Sequence, residues 1–247
     1  MIIIKTEQEI KTIAEGGKIL AKVMKELEKM VRPGIRTIDL DRAAEALILS
    51  FGAKPGFKGH EGFNYSLCTS VNENVVHGLP SDYVLKQGDI IGLDLGVIYK
   101  GYNSDMAVTL PVGKISYEAK RLINVTKKSL RLGIKKAKIG NTIGDIGNTI
   151  QRFVEDQGFG VIRELCGHGI GKNLHEDPKI PNFGKRGEGE RLVEGMIICI
   201  EPMVTMGDYK LRKSDDGYGY ATKDNSLSAH FEHTIAITKS GPKILTR

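Results

Sequence analysis

Residues 7–31 place Ile10, Ile13, Ala14, Gly17, Leu20, Ala21, Met24, Leu27 and Val31 at spacings of three and four, the period of a helix with one apolar face. Pro33-Gly34 ends that pattern, and Thr37 is the expected N-cap of a second helix, its hydroxyl accepting a free amide of the first turn. That helix should run to about Gly52, because a residue without Cβ suits the left-handed turn that closes a helix. The same grammar returns further on. Ser116 should cap a helix with Ala119, Leu122, Ile123, Leu130, Ile134 and Ala137 on one face, and Gly140 breaks it. Thr142 then caps another helix through Ile143, Ile146, Ile150 and Val154, closed by Gly158.

β-Branched runs with turn punctuation follow each helix pair: Ile90 to Val97 and Tyr102 to Leu110, then Leu192 to Thr205 and His230 to Thr238. No helical pattern separates the first two runs, so antiparallel hairpins fit better than parallel crossover units. The expected fold class is α+β, an antiparallel sheet with four main helices on one face. Thr37 and Thr142 lie 105 positions apart, which reads as a weak internal duplication with halves at about 1–112 and 113–247 in one domain.

Composition narrows the class. At 247 residues, with 40% hydrophobic and 27% charged side chains, the chain is long enough to bury a large core without staples. Cys68, Cys166 and Cys199 are odd in number and widely spaced, which excludes a disulfide framework and a thiolate zinc site. The longest apolar run is Met196 to Ile200 and the start Met1-Ile2-Ile3-Ile4-Lys5 is too short for a signal, so a cytoplasmic protein without membrane contact is expected. The net charge of +6 is uneven: residues 1–112 carry 13 basic and 14 acidic side chains, and residues 113–247 carry 23 and 16. Lys120, Arg121, Lys127, Lys128, Arg131, Lys135, Lys136 and Lys138 form a run without one acid, on the helix expected at 116–138. One exposed cationic face there serves either solubility or a polyanionic partner.

The candidate chemistry lies on the strands. Asp94 interrupts Ile90-Ile91-Gly92-Leu93-Asp94-Leu95-Gly96-Val97, and a buried acid in an apolar strand costs several kcal/mol unless something cationic neutralises it. A hairpin turning at Tyr99-Lys100 sets Asp105 opposite Asp94, with Cβ atoms about 5 Å apart, unless a bulge at Gly101 shifts the register by one. Two carboxylates that close either share a proton or hold metal ions between them. His168 stands between glycines in Gly167-His168-Gly169, Glu201 precedes Pro202 at the end of an apolar strand, and Glu232 sits in His230-Phe231-Glu232-His233-Thr234. Taken singly, these have ordinary structural readings. As a set, four acids and one histidine make a hard, oxygen-rich ligand group that suits two divalent cations about 3.5–4 Å apart. His77 and His175 either hydrogen-bond a substrate or are polar loop residues. Other motifs fail: Gly171-Lys172 lacks the hydroxyl residue and first glycine of a phosphate loop, and Asp215-Asp216-Gly217 lacks the remaining ligands of a calcium loop.

Together, Val76-His77-Gly78, Asp94, Asn103-Ser104-Asp105, Gly167-His168-Gly169-Ile170-Gly171, Leu174-His175-Glu176, Glu201-Pro202-Met203 and Phe231-Glu232-His233-Thr234 resemble the bacterial type I methionine aminopeptidases along nearly the whole chain. The resemblance implies the pita-bread fold and removal of the initiator methionine from nascent polypeptides, preferably before a small second residue. It implies that His168 and Glu201 ligate one metal and Asp94 the other, and that Asp105 and Glu232 bridge both. The metals would be cobalt, manganese, iron, zinc or nickel. Glu201 would also handle the proton of the nucleophilic water, His175 would bond the scissile carbonyl and His77 the peptide nitrogen. The family's methionine pocket maps to Phe57, His60, Phe63, Cys68, Leu174 and Tyr218, with His60, Leu174 and Tyr218 standing where tyrosine, phenylalanine and tryptophan are common. The rivals are a proline-specific pita-bread peptidase, which usually carries a further N-terminal domain, and a non-catalytic relative that binds ribosomes. The chain is expected to act as a monomer, with the basic helix as a possible contact to the ribosome.

Overall fold

The computed structural model describes all 247 residues. Helix α1 (Glu7–Met30) starts at a reciprocal cap, in which the Thr6 hydroxyl accepts the Glu9 amide and the Glu9 carboxylate accepts the Thr6 amide. Its apolar stripe Ile13, Leu20, Val23, Met24 and Leu27 is fully buried, the last four residues in the cluster of the first-half strands. Helix α2 (Thr37–Ser50) departs from the expected start. Arg36 is the N-cap without a side-chain bond, and Thr37 is already helical. The Thr37 hydroxyl instead donates to the Ser81 carbonyl and accepts the Ser81 amide, tying in the loop at 81. Gly52, at φ +70°, closes α2 as expected. Ser116 caps α3 (Tyr117–Lys136), and Thr142 with Asp145 caps α4 (Ile143–Asp156).

The first half contributes β1 (Lys54–Pro55), β2 (Leu67–Val71), β3 (Asn74–Val76), β4 (Ile90–Tyr99) and β5 (Tyr102–Pro111). The second contributes β6 (Gly160–Val161), β7 (Gly167–Gly169), β8 (Glu176–Ile180), β9 (Ile197–Ile200), β10 (Met203–Thr205), β11 (Leu211–Lys213), β12 (Tyr220–Thr222), β13 (Ser228–His230), β14 (His233–Thr238) and β15 (Gly241–Ile244). Every pairing is antiparallel. β4 lies between β1 and β2 on one path and pairs with β5, whereas the second half has a five-stranded sheet ordered β15-β14-β9-β7-β8. β3 joins β12, so first-half and second-half strands share one sheet.

Three apolar clusters hold these layers. One gathers α1, α2 and the β4 face, and a second gathers α3, α4 and the second-half strands. A third straddles the seam, bringing Ile13, Phe57, Phe63 and Cys68 against Ile170, Leu174, Ile197, Cys199 and Leu245. No helix is long and apolar enough to cross a membrane.

Two strand expectations need correction, and both corrections bear on the site. The hairpin turns at Lys100-Gly101, not Tyr99-Lys100, because both of those residues hold positive φ (49° and 81°), the requirement of a tight two-residue hairpin turn. Tyr99 therefore pairs with Tyr102, Asp94 faces Ala107, and Asp105 faces Gly96. The runs Leu192–Thr205 and His230–Thr238 are likewise each broken, at Glu201-Pro202 and at Phe231-Glu232. The breaks are opposite one another, since Ile200 pairs with His233 and Met203 with His230. Pro202 has no amide to give the ladder, so pairing lapses on both strands at the same point.

Candidate metal centre and substrate pocket

The register shift leaves Asp94 and Asp105 on the same face of the sheet as diagonal neighbours, because it preserves the two-residue period of side chains. Glu232 joins them through the seam: its amide donates to the Ala107 carbonyl at 2.9 Å, and Thr234 both accepts the Asp105 amide and donates to its carbonyl. As a result Asp94, Asp105 and Glu232 have carboxylate oxygens within 4.8 Å of one another, all buried. Glu201 enters from the facing strand break, 3.6 Å from His168.

The glycines around His168 are there for close approach. A Cβ on Gly167 would lie 2.3 Å from the Cys199 carbonyl oxygen, and one on Gly169 would lie 2.1 Å from that of Asp177. Only glycine lets β7 press between β8 and β9 and so deliver the imidazole to the acids. His168 Nδ1 sits 2.9 Å from the Gly169 carbonyl, which sets that nitrogen as the donor and turns the Nε2 lone pair toward Glu201 Oε1.

Electrostatically this cluster is neutralised either by protons or by a cation. Burial raises all four acids, with their mutual repulsion adding to it for Asp105, Glu201 and Glu232. Asp94 is pushed up to about 6, chiefly by burial, with His230 opposing that rise. Burial also lowers His168 to about 3, so its imidazole is neutral and its Nε2 is an acceptor. The His168 Nε2 lone pair facing Glu201, and the unpartnered buried oxygens Asp94 Oδ1 and Glu232 Oε1, make a donor set that could hold a metal ion. Cys199 Sγ also lies within 4.8 Å of the His168 and Glu232 ligand atoms. Burial raises that thiol well above its ordinary range, so it stays protonated beside Thr234 and leaves the ligand set oxygen and nitrogen.

All thirteen residues singled out in the sequence line one cavity of about 790 Å³: Asp94, Asp105, His168, Glu201, Glu232, His77, His175, Phe57, His60, Phe63, Cys68, Leu174 and Tyr218. Phe63 stacks at an angle on Tyr218 with centroids 5.4 Å apart and meets Phe57 edge-on at 6.4 Å, forming an apolar slot beside the acids. His175 lies perpendicular to His168 at 4.5 Å and to one side of His60 at 5.2 Å, so His60 extends a row of imidazoles toward the pocket mouth. His77 follows β3 at φ +59°, a conformation non-glycine residues rarely hold, with its ring against Tyr220. Burial lowers His77 to about 4 and also lowers His175, so both are neutral N–H donors at pH 7.

Three features of the site escaped the sequence reading. Lys5 and Glu176 form an ion pair almost completely out of solvent, next to the His175 loop, and no local pattern connects residues 5 and 176. Asn103 holds the same loop by donating from Nδ2 to the Gly171 and Lys172 carbonyls. Finally, His230 is buried with its Nε2 facing Glu201; its place two residues before Glu232 in the His-Phe-Glu-His-Thr stretch was the available signal.

The chain also compares closely with known proteins. The profile of metallopeptidase family M24 matches residues 11–239. A methionine aminopeptidase of Clostridium perfringens is 51% identical over 246 residues, covering 100% of this chain and 99% of the relative. Methionine aminopeptidase 1 of Bacillus subtilis is 48% identical with full coverage of both chains. Among solved structures, the Thermotoga maritima methionine aminopeptidase superposes over 100% of both chains with a TM-score of 0.98 at 45% identity. The prolidase of Pyrococcus horikoshii gives 0.80 at 27% identity, and this chain spans only 64% of it. An antiparallel α+β architecture with a buried acid and histidine cluster, matched along its length by these relatives, is the pita-bread fold, and the chain belongs to metallopeptidase family M24 among the methionine aminopeptidases.

Proposed function

We propose that this protein removes the N-terminal methionine of nascent polypeptides, with Asp94, Asp105, His168, Glu201 and Glu232 holding two divalent ions, each of cobalt, manganese, iron, zinc or nickel. The observation that carries the reading is His168 Nε2 set 3.6 Å from Glu201 Oε1 within a nest of four buried acids, at the closed end of an apolar slot. When bound, the ions supply Lewis acidity that brings the pKa of a water toward neutrality. The remaining work falls to the chain itself. Phe57, Phe63, Cys68, Leu174 and Tyr218 take the unbranched methionine side chain, with His60 at the slot's rim. The acids accept a free α-amino group, whereas an acylated nitrogen brings neither charge nor a basic lone pair. Glu201 takes a proton from the attacking water and returns it to the leaving amine. His175 donates to the scissile carbonyl as charge develops on its oxygen, and His77 bonds the peptide nitrogen.

The residue after methionine lies against the ligand cluster and His77, which supports a preference for Ala, Gly or Ser there over Leu or Lys. Ligands come from both halves and the site is complete within one chain, which supports a single catalytic domain acting as a monomer in the cytoplasm, where nascent chains emerge. The test is metal analysis of purified protein combined with hydrolysis of Met-Ala-Ser, Met-Leu-Ser and N-acetyl-Met-Ala-Ser peptides. About two ions per chain and cleavage of the first peptide alone are expected; efficient cleavage of the acetylated peptide refutes the reading.

A second reading concerns location. On α3 and just past its end, the eight basic residues from Lys120 to Lys138 are all exposed, and no acid pairs with any of them. This unneutralised face supports contact with ribosomal RNA. Binding to ribosomes should then weaken steeply between about 50 and 200 mM salt. Lys127→Glu, Lys128→Glu and Arg131→Glu together should abolish it while sparing hydrolysis of a free peptide. Affinity that is flat with salt removes this contact from consideration.

A further inference from the structure

Each oxygen of Glu201 faces an imidazole. Oε1 lies 3.6 Å from His168 Nε2, and Oε2 lies 3.5 Å from Nε2 of His230. The chemistry above uses the first contact and leaves the second unexplained. His230 is 3% exposed, and its Nε2 has no hydrogen-bond partner. Its backbone is clamped by one residue, since the His230 amide donates to Thr109 Oγ1 and that hydroxyl donates to the His230 carbonyl, both at 2.9 Å. His230 also pairs with Met203, two residues beyond Glu201, so the double strand break that frees Glu201 also fixes where this ring points.

Glu201 is asked to do two things at once, to ligate and to move a proton. A carboxylate free to rotate about its last torsion exchanges its oxygens between those tasks and spends part of its time aimed at neither. A neutral imidazole with its hydrogen on Nε2 presents one donor to one oxygen and removes that freedom, at little entropic cost because its own backbone is already held. We propose that His230 is a positioning residue for Glu201, its Nε2–H holding Oε2 so that Oε1 stays on the His168 side. The proposal rests on the reading of Glu201 as proton carrier.

The experiment compares Glu201→Gln, His230→Gln, His230→Asn and His230→Leu in the metal-loaded full-length chain, measuring kcat and KM on Met-Ala-Ser, bound metal and the thermal midpoint. A glutamine amide reaches about as far as imidazole Nε2; an asparagine amide stops one methylene short. His230→Gln should rescue turnover to near the parent value. His230→Asn and His230→Leu should lose about 10–100-fold in kcat, with KM, metal content and midpoint little changed. Equal kcat in all three His230 variants, or equal loss in the Gln and Asn proteins, overturns the proposal. So does a loss explained by depleted metal or a fallen midpoint, which marks a structural role. The Glu201→Gln protein separates the two layers: if it retains turnover with its metals bound, the reading of Glu201 fails and the proposal with it. An inactive Glu201→Gln beside an unaffected His230→Leu refutes the positioning role alone.

Discussion

The proposed ligand floor and the proposed methionine slot share one cavity but are built differently. Asp94, Asp105 and His168 lie within β4, β5 and β7, and Glu201 and Glu232 sit at the ends of β9 and β14. The slot is mostly loop-borne: Phe57, His60 and Phe63 come from the segment between β1 and β2, Leu174 from the turn before β8, and Tyr218 from the connection between β11 and β12, with Cys68 alone on a strand, β2. Ligand atoms tolerate errors of a fraction of an ångström, which paired strands can guarantee, whereas an apolar slot needs only volume and dryness. His60, Leu174 and Tyr218, the positions where the resemblance implies other aromatic residues, are all slot positions.

Breaking the floor should have the largest effect. Asp105→Ala or Glu232→Ala removes an acid that touches its neighbours on both sides, so turnover should vanish and at least one bound ion should be lost, as elemental analysis would show. Full metal content with wild-type turnover in either protein would mean that the floor is not the catalytic centre. At the boundary between the regions, His175→Ala should keep both metals and lose roughly 10²–10³ in kcat, the usual value of one oxyanion donor. A metal-free His175→Ala protein would move that residue from the slot side to the floor.

The two regions should also separate by pH. The four floor acids have folded pKa values above their unfolded ones, Asp94 at about 6 against an ordinary value near 4. Between those values the folded state binds more protons than the unfolded chain, so in metal-stripped protein these groups cost stability increasingly as pH rises through about 4 and beyond. Metal binding needs them deprotonated and relieves that cost. The gap in melting temperature between loaded and stripped protein should therefore be small at pH 5 and widen by several degrees toward pH 8, as calorimetry would record; a gap that stays constant contradicts this account of the floor. The apolar slot carries no such linkage. The smallest effect belongs there, where Leu174→Ala should cost about tenfold in kcat/KM for Met-Ala-Ser, mostly through KM, with metal content and pH profile unaltered. A change in metal affinity would show that slot and floor are not separable.

Much of the floor was legible in the sequence because its signal is a local contradiction. Asp94 stands in an unbroken apolar strand and Glu201 ends another, and an acid there is visible as a cost before anything is known of its neighbours. Helix α4 was equally plain, since Thr142, the spaced isoleucines and Gly158 all lie within one short stretch. Thr37 misled because its hydroxyl finds Ser81 across 44 positions, and a side-chain bond that distant competes with a cap without leaving a local trace. The hairpin turn lay one residue further on, moving each strand partner by two, because Lys100 accepts a left-handed conformation that its residue type does not advertise.

The sequence by itself determined the element types, the antiparallel class and which buried acids and histidine to propose as metal ligands, since periodicity and a charge inside an apolar run are properties of neighbouring residues. Only the tertiary structure decided which lone pairs face each other. The pairing of two strand breaks within the second half sets Glu201 between His168 and His230, and the burial of Lys5 with Glu176 steadies the loop that carries His175. Those contacts join residues 29, 33 and 171 positions apart (201 and 230, 168 and 201, 5 and 176). They exist because folded layers exclude water from the space between them, and no pattern along the chain encodes that exclusion.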